Sequence, residues 1–200
     1  MLRCWASVIL ALIVTATYVT SLPGSYAIQR RASKCNGYQD LCNRKYSNVT
    51  HIGAHDSFAV GKLGSLGSNQ EANVTVQLED GIRLLQIQTH ASSGHQDSNP
   101  SGLSLCHTSC ALKNGGTLES YLRQVKQFLD QNKNEIVTLV ITNPDNKPVS
   151  NFAKAFENTG LNSMAYRANS NSISKNDWPT LQELISQNQR VVVFLDYKAD

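Results

Sequence analysis

The sequence predicts an α/β fold in which strands and helices alternate along the chain. Two almost continuous apolar runs, Ile136–Thr142 and Val191–Leu195, have the length and composition of strands that are buried on both faces. Shorter β-type runs lie at Val49–Gly53 and Ile82–Gln88, and helical patterns separate the last three runs. This alternation is typical of parallel βαβ units, which leaves a barrel or a doubly wound sheet as the architecture.

Three helices are expected between and beside these strands. The first begins after the N-cap residue Thr117 and continues to Asn132, with apolar residues at helical spacing: Leu118, Tyr121, Leu122, Val125, Phe128 and Leu129. The second is marked by Phe152, Ala155 and Phe156, and the third, which follows Trp178-Pro179-Thr180, by Leu181, Leu184 and Ile185. A complete eightfold barrel usually takes about 250 residues, so about four strands would represent the N-terminal half of one.

The N-terminal segment predicts export from the cell. Arg3 precedes an apolar run from Trp5 to Val19, and small residues lead up to Ala27, which is the pattern of a secretory signal peptide. The alternative is a membrane anchor, but a run of about fifteen residues is shorter than the roughly 18 to 20 that span a bilayer. We therefore expect residues 1–27 to be removed, residues 28–200 to form the mature domain, and the protein to be secreted.

The net charge and its distribution argue against a nucleic-acid partner. The 200 residues contain 18 Lys and Arg and 15 Asp and Glu, a formal net charge of +3, and no basic cluster is longer than the pair Arg30-Arg31. Nucleic-acid-binding surfaces need concentrated positive charge, so we expect no nucleic-acid partner.

The cysteines of the mature chain are even in number, as in many secreted proteins. They allow three disulfide connectivities, and we favour the two local pairs because these close the shortest loops: Cys35 with Cys42, and Cys106 with Cys110. A zinc site is the competing interpretation, but the spacing does not match that of structural zinc ligands. Asn48 and Asn73 begin glycosylation sequons, which matter only if the chain is exported.

The densest polar cluster follows the first β-type run. Gly53 precedes His55, Asp56 and Ser57, so the chain can turn at the end of a strand, where ligands bind in parallel α/β folds. His55 is the best single catalytic candidate. In the alternative interpretation, Asp56 and Ser57 stabilise a turn and His55 is a surface residue.

Two further segments carry histidines. With strand alternation, four residues of the second β-type run share one face: Leu84, Gln86, Gln88 and His90. In a barrel, this row of side chains would end at the mouth. A partly hydrated edge strand would show the same alternation of residues. His107 lies next to Cys106, which makes it either a fixed proton donor or a surface residue on a disulfide-bonded loop.

Taken together and in this order, these segments resemble the X-region of the phosphatidylinositol-specific phospholipase C superfamily, and most closely its secreted phosphodiesterase branch. The resemblance extends from about Cys35 to Asp200 and depends on five motifs: Gly53–Ser57, Gly81–Gln88, Leu105-Cys106-His107, Trp178–Leu181 and Val193–Tyr197. It implies a TIM-type barrel, and it implies that an inositol phospholipid or a related glycerophosphodiester is cleaved during transient contact with a membrane surface.

The resemblance also implies roles for three residues. His55 would be the general base that deprotonates the attacking inositol hydroxyl, His107 would be the general acid that protonates the leaving glycerol oxygen, and Asp56 would orient the site. Imidazole suits both tasks because its ordinary pKa of about 6.5 lies near neutral pH.

The chain departs from the family pattern at two positions. Calcium-dependent members carry carboxylates where this chain has Gln86 and Gln88, and bacterial members carry an arginine at the position of Gln88. Because calcium prefers anionic oxygen ligands, we expect no metal and no other cofactor. The missing positive charge would come from His90.

The aspartate that holds the base histidine in bacterial members has no counterpart here. Asp196 ends the last strand in the layer expected for a site residue, and the alternative is a solvent-facing strand terminus. Two competing interpretations of the whole chain stay open: a non-catalytic protein that binds a phosphate or sugar headgroup, and a truncated fragment that does not fold alone. The sequence does not determine the oligomeric state.

Overall fold

A mixed sheet forms the centre of the structure, a computed structural model that describes residues 32–62, 64–92, 99–170 and 172–198. Its strands are β1 (Gly53–Ala54), β2 (Leu84–Ala91), β3 (Leu103–Cys106), β4 (Asn114–Thr117), β5 (Val137–Thr142) and β6 (Val191–Leu195). Strands β1, β2, β5 and β6 are parallel neighbours in that order. The predicted set of about four parallel strands is therefore present.

An antiparallel hairpin, β3 and β4, was not predicted. β3 pairs with the end of β2, as at Thr89 with Leu105, whereas β1 pairs with the beginning of β2 along the same edge. The segment that becomes β4 reads Asn-Gly-Gly-Thr, which has little intrinsic β propensity. Pairing with β3 makes it a strand, and a search for apolar alternation cannot detect that.

The first strand is shorter than predicted. The expected run Val49–Gly53 contributes only its last residue, because β1 begins at Gly53. At Gly53 the chain passes so close to β2 that an added Cβ atom would lie 2.8 Å from the side chain of Leu84. Any larger residue at position 53 would therefore require the side chain of Leu84 to shift.

The helices are α1 (Val74–Glu79), α2 (Leu118–Gln131), α3 (Val149–Thr159) and α4 (Leu181–Ser186), with 3-10 turns at Gln39–Leu41, Tyr46–Asn48 and Leu161–Met164. The predicted N-cap Thr117 accepts a hydrogen bond from the Ser120 backbone N–H, and Thr180 begins α4 with a capping box. The short α1, capped by Asn73, was not predicted. None of the described helices has the length and apolar character needed to cross a membrane.

The core lies between the sheet and the helices. Leu85 and Ile87 of β2 are fully buried in the main apolar cluster, together with Leu122, Val125 and Leu129 of α2. The opposite face of β2 carries Gln86, Gln88 and His90, which are only partly buried. The predicted alternation along this strand is therefore confirmed.

Both favoured disulfides are present, Cys35–Cys42 and Cys106–Cys110. The sequon residues Asn48 and Asn73 are exposed, as an acceptor for a glycan must be, and their glycosylation stays a prediction. The predicted signal peptide and its cleavage site after Ala27 lie outside the described residues.

A buried arginine donates hydrogen bonds to backbone carbonyl groups at the end of α2. The Arg190 guanidinium donates hydrogen bonds to the carbonyl oxygens of Leu129 and Asn132, at 2.9 Å and 3.1 Å, and to Asn188 Oδ1 at 3.0 Å. Carbonyl groups in the last turn of a helix have no partner within the helix, so a cation placed here satisfies them and interacts favourably with the helix dipole. Burial lowers the pKa of Arg190, and Asp130 partly opposes this effect.

His51 belongs to an aromatic cluster with Tyr46 and Trp178. Its ring centroid lies 4.7 Å from that of Tyr46, which stacks in turn on Trp178. The His51 Nε2 atom is buried without a hydrogen-bond partner among the described residues. Burial lowers the pKa of His51, and a hydrogen bond with the backbone of Tyr46 opposes this effect.

We expect His51 to make the protein less stable in mild acid. Because its pKa is lowered on folding, the unfolded chain takes up a proton below about pH 6.5 while the folded chain does not, so stability present above that pH is lost as pH falls. The free energy of unfolding, measured in urea between about pH 7.5 and 5.5, should fall less in His51→Phe, which keeps an aromatic ring. An equal fall in both proteins would show that His51 is not responsible.

Candidate functional site

A pocket of about 380 Å³ lies at the carboxyl ends of the parallel strands. Every predicted catalytic or substrate-binding residue except His90 lines it: His55, Asp56, Gln86, Gln88, His107 and Asp196. These residues come from four separate stretches of chain. His55 and Asp56 follow β1 and Asp196 follows β6, both strands of the parallel set, whereas His107 follows the antiparallel strand β3.

Two histidines converge on one carboxylate oxygen. Asp56 Oδ2 lies 3.4 Å from His55 Nε2 and 3.5 Å from His107 Nε2. The two ring nitrogens therefore cannot be further apart than the sum of these distances, which is a gap that a phosphoryl group can bridge. The side chain of Asp56 is 3% exposed, that of His107 26% and that of His55 72%, so the carboxylate lies beneath two accessible rings.

The loop contact of His107 defines which nitrogen faces the pocket. His107 Nδ1 lies 2.9 Å from the carbonyl oxygen of Gly67, which can only accept, so Nδ1 carries a proton. Nε2 is then free for a second proton or for a ligand. Next to the ring, the Cys106–Cys110 disulfide closes the loop that contains His107.

Asp56 has a further partner that the sequence did not reveal. Asn69 Nδ2 donates a hydrogen bond to Asp56 Oδ2 at 3.2 Å, and Asp56 Oδ1 is buried without a partner among the described residues. Asn69 lies in a loop of small and polar residues with no motif or periodicity, so only the folded structure brings it to the site.

The residue after each histidine has a left-handed backbone. Asp56 has a φ of 41° and Thr108 a φ of 62°. Aspartate tolerates this region, but a β-branched threonine is rare there, and each such residue stores about 1 to 3 kcal/mol of strain. Surrounding contacts must therefore hold both histidine loops in place.

Two glutamines of β2 supply part of that support. Gln86 Oε1 accepts a hydrogen bond from the backbone N–H of Asp56 at 2.7 Å, and Gln88 Oε1 accepts one from the backbone N–H of Thr108 at 2.6 Å. Both amide oxygens are thus already occupied by backbone donors.

These residues do not fit a calcium ion. At the two positions where the resemblance implies carboxylate ligands, the chain has neutral amides whose oxygens already accept hydrogen bonds. Across the described ranges, no group of three or more His, Cys, Asp or Glu side chains could hold a metal ion.

His90 lies outside the pocket lining, two positions beyond Gln88 on the same face of β2. Its Nδ1 atom lies 3.1 Å from Asp145 Oδ1, and its Nε2 atom is buried without a partner among the described residues. A hydrogen bond from the Ala91 backbone, helped by His90, lowers the pKa of Asp145 and so favours its carboxylate form.

Asp196 lines the pocket, and one of its carboxylate oxygens accepts a hydrogen bond. Its Oδ1 atom accepts a hydrogen bond from the backbone N–H of Asn143 at 2.7 Å, so the end of β6 is tied to the loop after β5. Asn143 is fully buried and also bonds the backbone of Lys147 at both ends of its side chain. Asp196 is therefore held in place as part of the pocket wall.

Comparison with known proteins identifies relatives. A family model described as PI-PLC X 1 matches residues 41–200. A protein of Arthroderma benhamiae named PI-PLC X domain-containing protein 1 is 42% identical over 192 residues, which is 95% of this chain and 58% of the relative. A second protein of that organism, named Uncharacterized secreted protein, is 45% identical over 166 residues, 83% of this chain and 36% of the relative. The chain thus spans less than two thirds of the length of either relative.

Solved structures with the same fold come from bacteria. The phosphatidylinositol-specific phospholipase C of Listeria monocytogenes superposes with a TM-score of 0.58 at 19% identity, covering 78% of this chain and 54% of that one. A variant of the Staphylococcus aureus enzyme gives a TM-score of 0.57 at 17% identity, covering 78% and 50%. At these identities the likeness establishes the fold, an α/β structure equivalent to about half of a TIM-type barrel, as predicted.

Proposed function

Because the chain belongs to the PI-PLC X family, we propose that it cleaves a phosphodiester bond of an inositol phospholipid, or of a related glycerophosphodiester, by two-histidine acid–base catalysis. One observation carries the proposal: the Nε2 atoms of His55 and His107 lie within 3.4 Å and 3.5 Å of the same Asp56 oxygen, on the wall of one pocket. General acid–base catalysis of such a displacement uses one group that accepts a proton and a second that donates one.

The proposed reaction is an internal displacement. His55 Nε2 accepts the proton of the inositol hydroxyl next to the phosphate, and that oxygen forms a new bond to phosphorus. The bond from phosphorus to the glycerol oxygen breaks, and His107 donates its Nε2 proton to that oxygen. The products are a cyclic inositol phosphate and a diacylglycerol, and the enzyme is left with a protonated His55 and a neutral His107.

Asp56 would serve both histidines. Its buried carboxylate lies next to both Nε2 atoms, so it can orient the rings and stabilise whichever ring is protonated at each stage. The hydrogen bond from Asn69 holds the carboxylate oxygen in position.

Secretion is part of the proposal. It is supported by the predicted signal peptide, by the two disulfides, which persist in oxidising compartments, and by the relative whose name describes it as secreted. Its substrate would then lie at an external membrane surface. Leu66, which is 82% exposed next to the His107 partner Gly67, and Leu112, which contacts Gly67, supply an apolar rim for transient contact with lipid.

Substitution of either histidine tests the mechanism. We expect His55→Ala and His107→Ala each to lower kcat by about 10² to 10⁴, because each removes one proton transfer. The measurement is release of cyclic inositol phosphate from vesicles that contain phosphatidylinositol, with and without chelator. Chelator should have no effect, and His51→Phe, which lies outside the pocket, should retain activity.

Three outcomes would contradict this proposal. Full activity in either alanine variant would exclude acid–base catalysis by that histidine, and loss of activity in chelator would require a metal. No product from the wild-type chain, together with saturable binding to the same vesicles, would favour a non-catalytic headgroup-binding protein, for which the neutral Gln86 and Gln88 are an argument.

His90 is proposed to supply positive charge to the substrate. It lies about 7 Å beyond Gln88 along the strand, outside the pocket lining and next to Asp145, so it would act on the headgroup through its charge and not through a direct contact. We expect His90→Ala to lower kcat/KM at least about tenfold, mainly through KM, because an attraction that acts equally in the ground and transition states is lost. Unchanged kcat/KM would remove His90 from the site.

A further inference from the structure

We propose that Gln86 and Gln88 form a neutral, metal-free clamp for the phosphate oxygens of the substrate, oriented by the backbone of the two histidine loops. The inference deepens the proposed function and rests on it for its catalytic consequence. The structural part of the inference is the orientation of the two amides, and it can be tested even if the chain has no phosphodiesterase activity.

The position of the two glutamines is imposed by the sheet. They occupy alternate positions of β2, so they share one face, and both line the pocket. β2 is bonded to β1 and β3 on one edge and to β5 on the other, which prevents it from shifting.

The orientation of each amide follows from its partner. A backbone N–H can only donate, so the glutamine atom that faces the Asp56 N–H or the Thr108 N–H must be the oxygen. The nitrogen of each amide is therefore directed away from that backbone bond. No residue in the described ranges accepts a hydrogen bond from either Nε2 atom.

The same bonds hold the two histidines. Asp56 and Thr108 directly follow His55 and His107, and both have left-handed backbones, so each histidine loop is strained next to the residue that a glutamine holds. Gln86 also accepts a backbone hydrogen bond from Ser57, through its main-chain oxygen, at 3.0 Å. A single pair of side chains thus links the two loops to the central strand.

The free amide groups have the chemistry that the pocket needs. Asp56 and Asp196 already place acidic groups around it, so further carboxylates would repel an anionic phosphate. Each glutamine offers N–H donors without adding charge, and phosphate oxygens are strong acceptors. The two amides would bind the non-bridging oxygens while the histidines exchange protons with the bridging ones.

Two near-isosteric variants separate the two halves of the inference. Gln88→Glu keeps an oxygen acceptor for the Thr108 N–H but removes the amide donors. Gln88→Met removes both. Gln124→Glu, at an exposed position on α2, is the matched control for the added charge.

The probe is inorganic phosphate, followed by NMR of the side-chain amide signals in the full chain. We expect the Gln86 and Gln88 side-chain signals to shift saturably, and Gln88→Glu to weaken phosphate binding at least about tenfold, unlike the Gln124 control. The hydrogen-exchange rate of the Thr108 backbone amide should be unchanged in Gln88→Glu and at least about tenfold faster in Gln88→Met.

On vesicles with phosphatidylinositol, Gln88→Met should lower kcat more than it raises KM, because His107 is misplaced. Phosphate binding that leaves both glutamine signals unmoved would overturn the clamp, and unchanged Thr108 exchange in folded Gln88→Met would overturn the positioning role. Glutamine signals that shift with phosphate in a chain without phosphodiesterase activity would support the clamp while contradicting the proposed function.

Discussion

The alternation of side chains along β2 is the constraint on which the candidate site depends. Leu85 and Ile87 fill the core against the helices, so Gln86 and Gln88 must face the pocket. A shift of one residue would bury both amides and expose both apolar side chains, which is too costly to occur. Pairing on both edges of β2 reinforces this register. The loops that bond to the two glutamines are therefore positioned by the same register.

The histidine loops illustrate how a strained site is supported. A left-handed threonine after His107 is unfavourable by itself, yet it is held by Gln88, and the loop around it is closed by a disulfide and tied to Gly67 through the ring. The two hydrogen bonds are weak individually, whereas the disulfide is covalent. Together they leave the loop few other conformations, which keeps His107 Nε2 directed at the buried Asp56 carboxylate.

The proposed clamp would allow this scaffold to bind a phosphate without a metal. The amide side chains at the two positions of β2 accept backbone hydrogen bonds with their oxygens, and both residues line the pocket. A carboxylate at the same position could accept the same backbone bond but would need a cation before an anionic phosphate could approach. An amide in place of an acid would therefore make the pocket less negative while it still supports the loops.

Patterns within short stretches of chain were enough to predict β2, β5 and β6, α2 with its cap at Thr117, the local disulfides and the two faces of β2. Three features became visible only in the folded chain: Asn-Gly-Gly-Thr forms β4, Asn69 reaches Asp56, and His90 pairs with Asp145. Each of these needs a partner brought close by the fold, and local propensity and spacing carry no information about such partners.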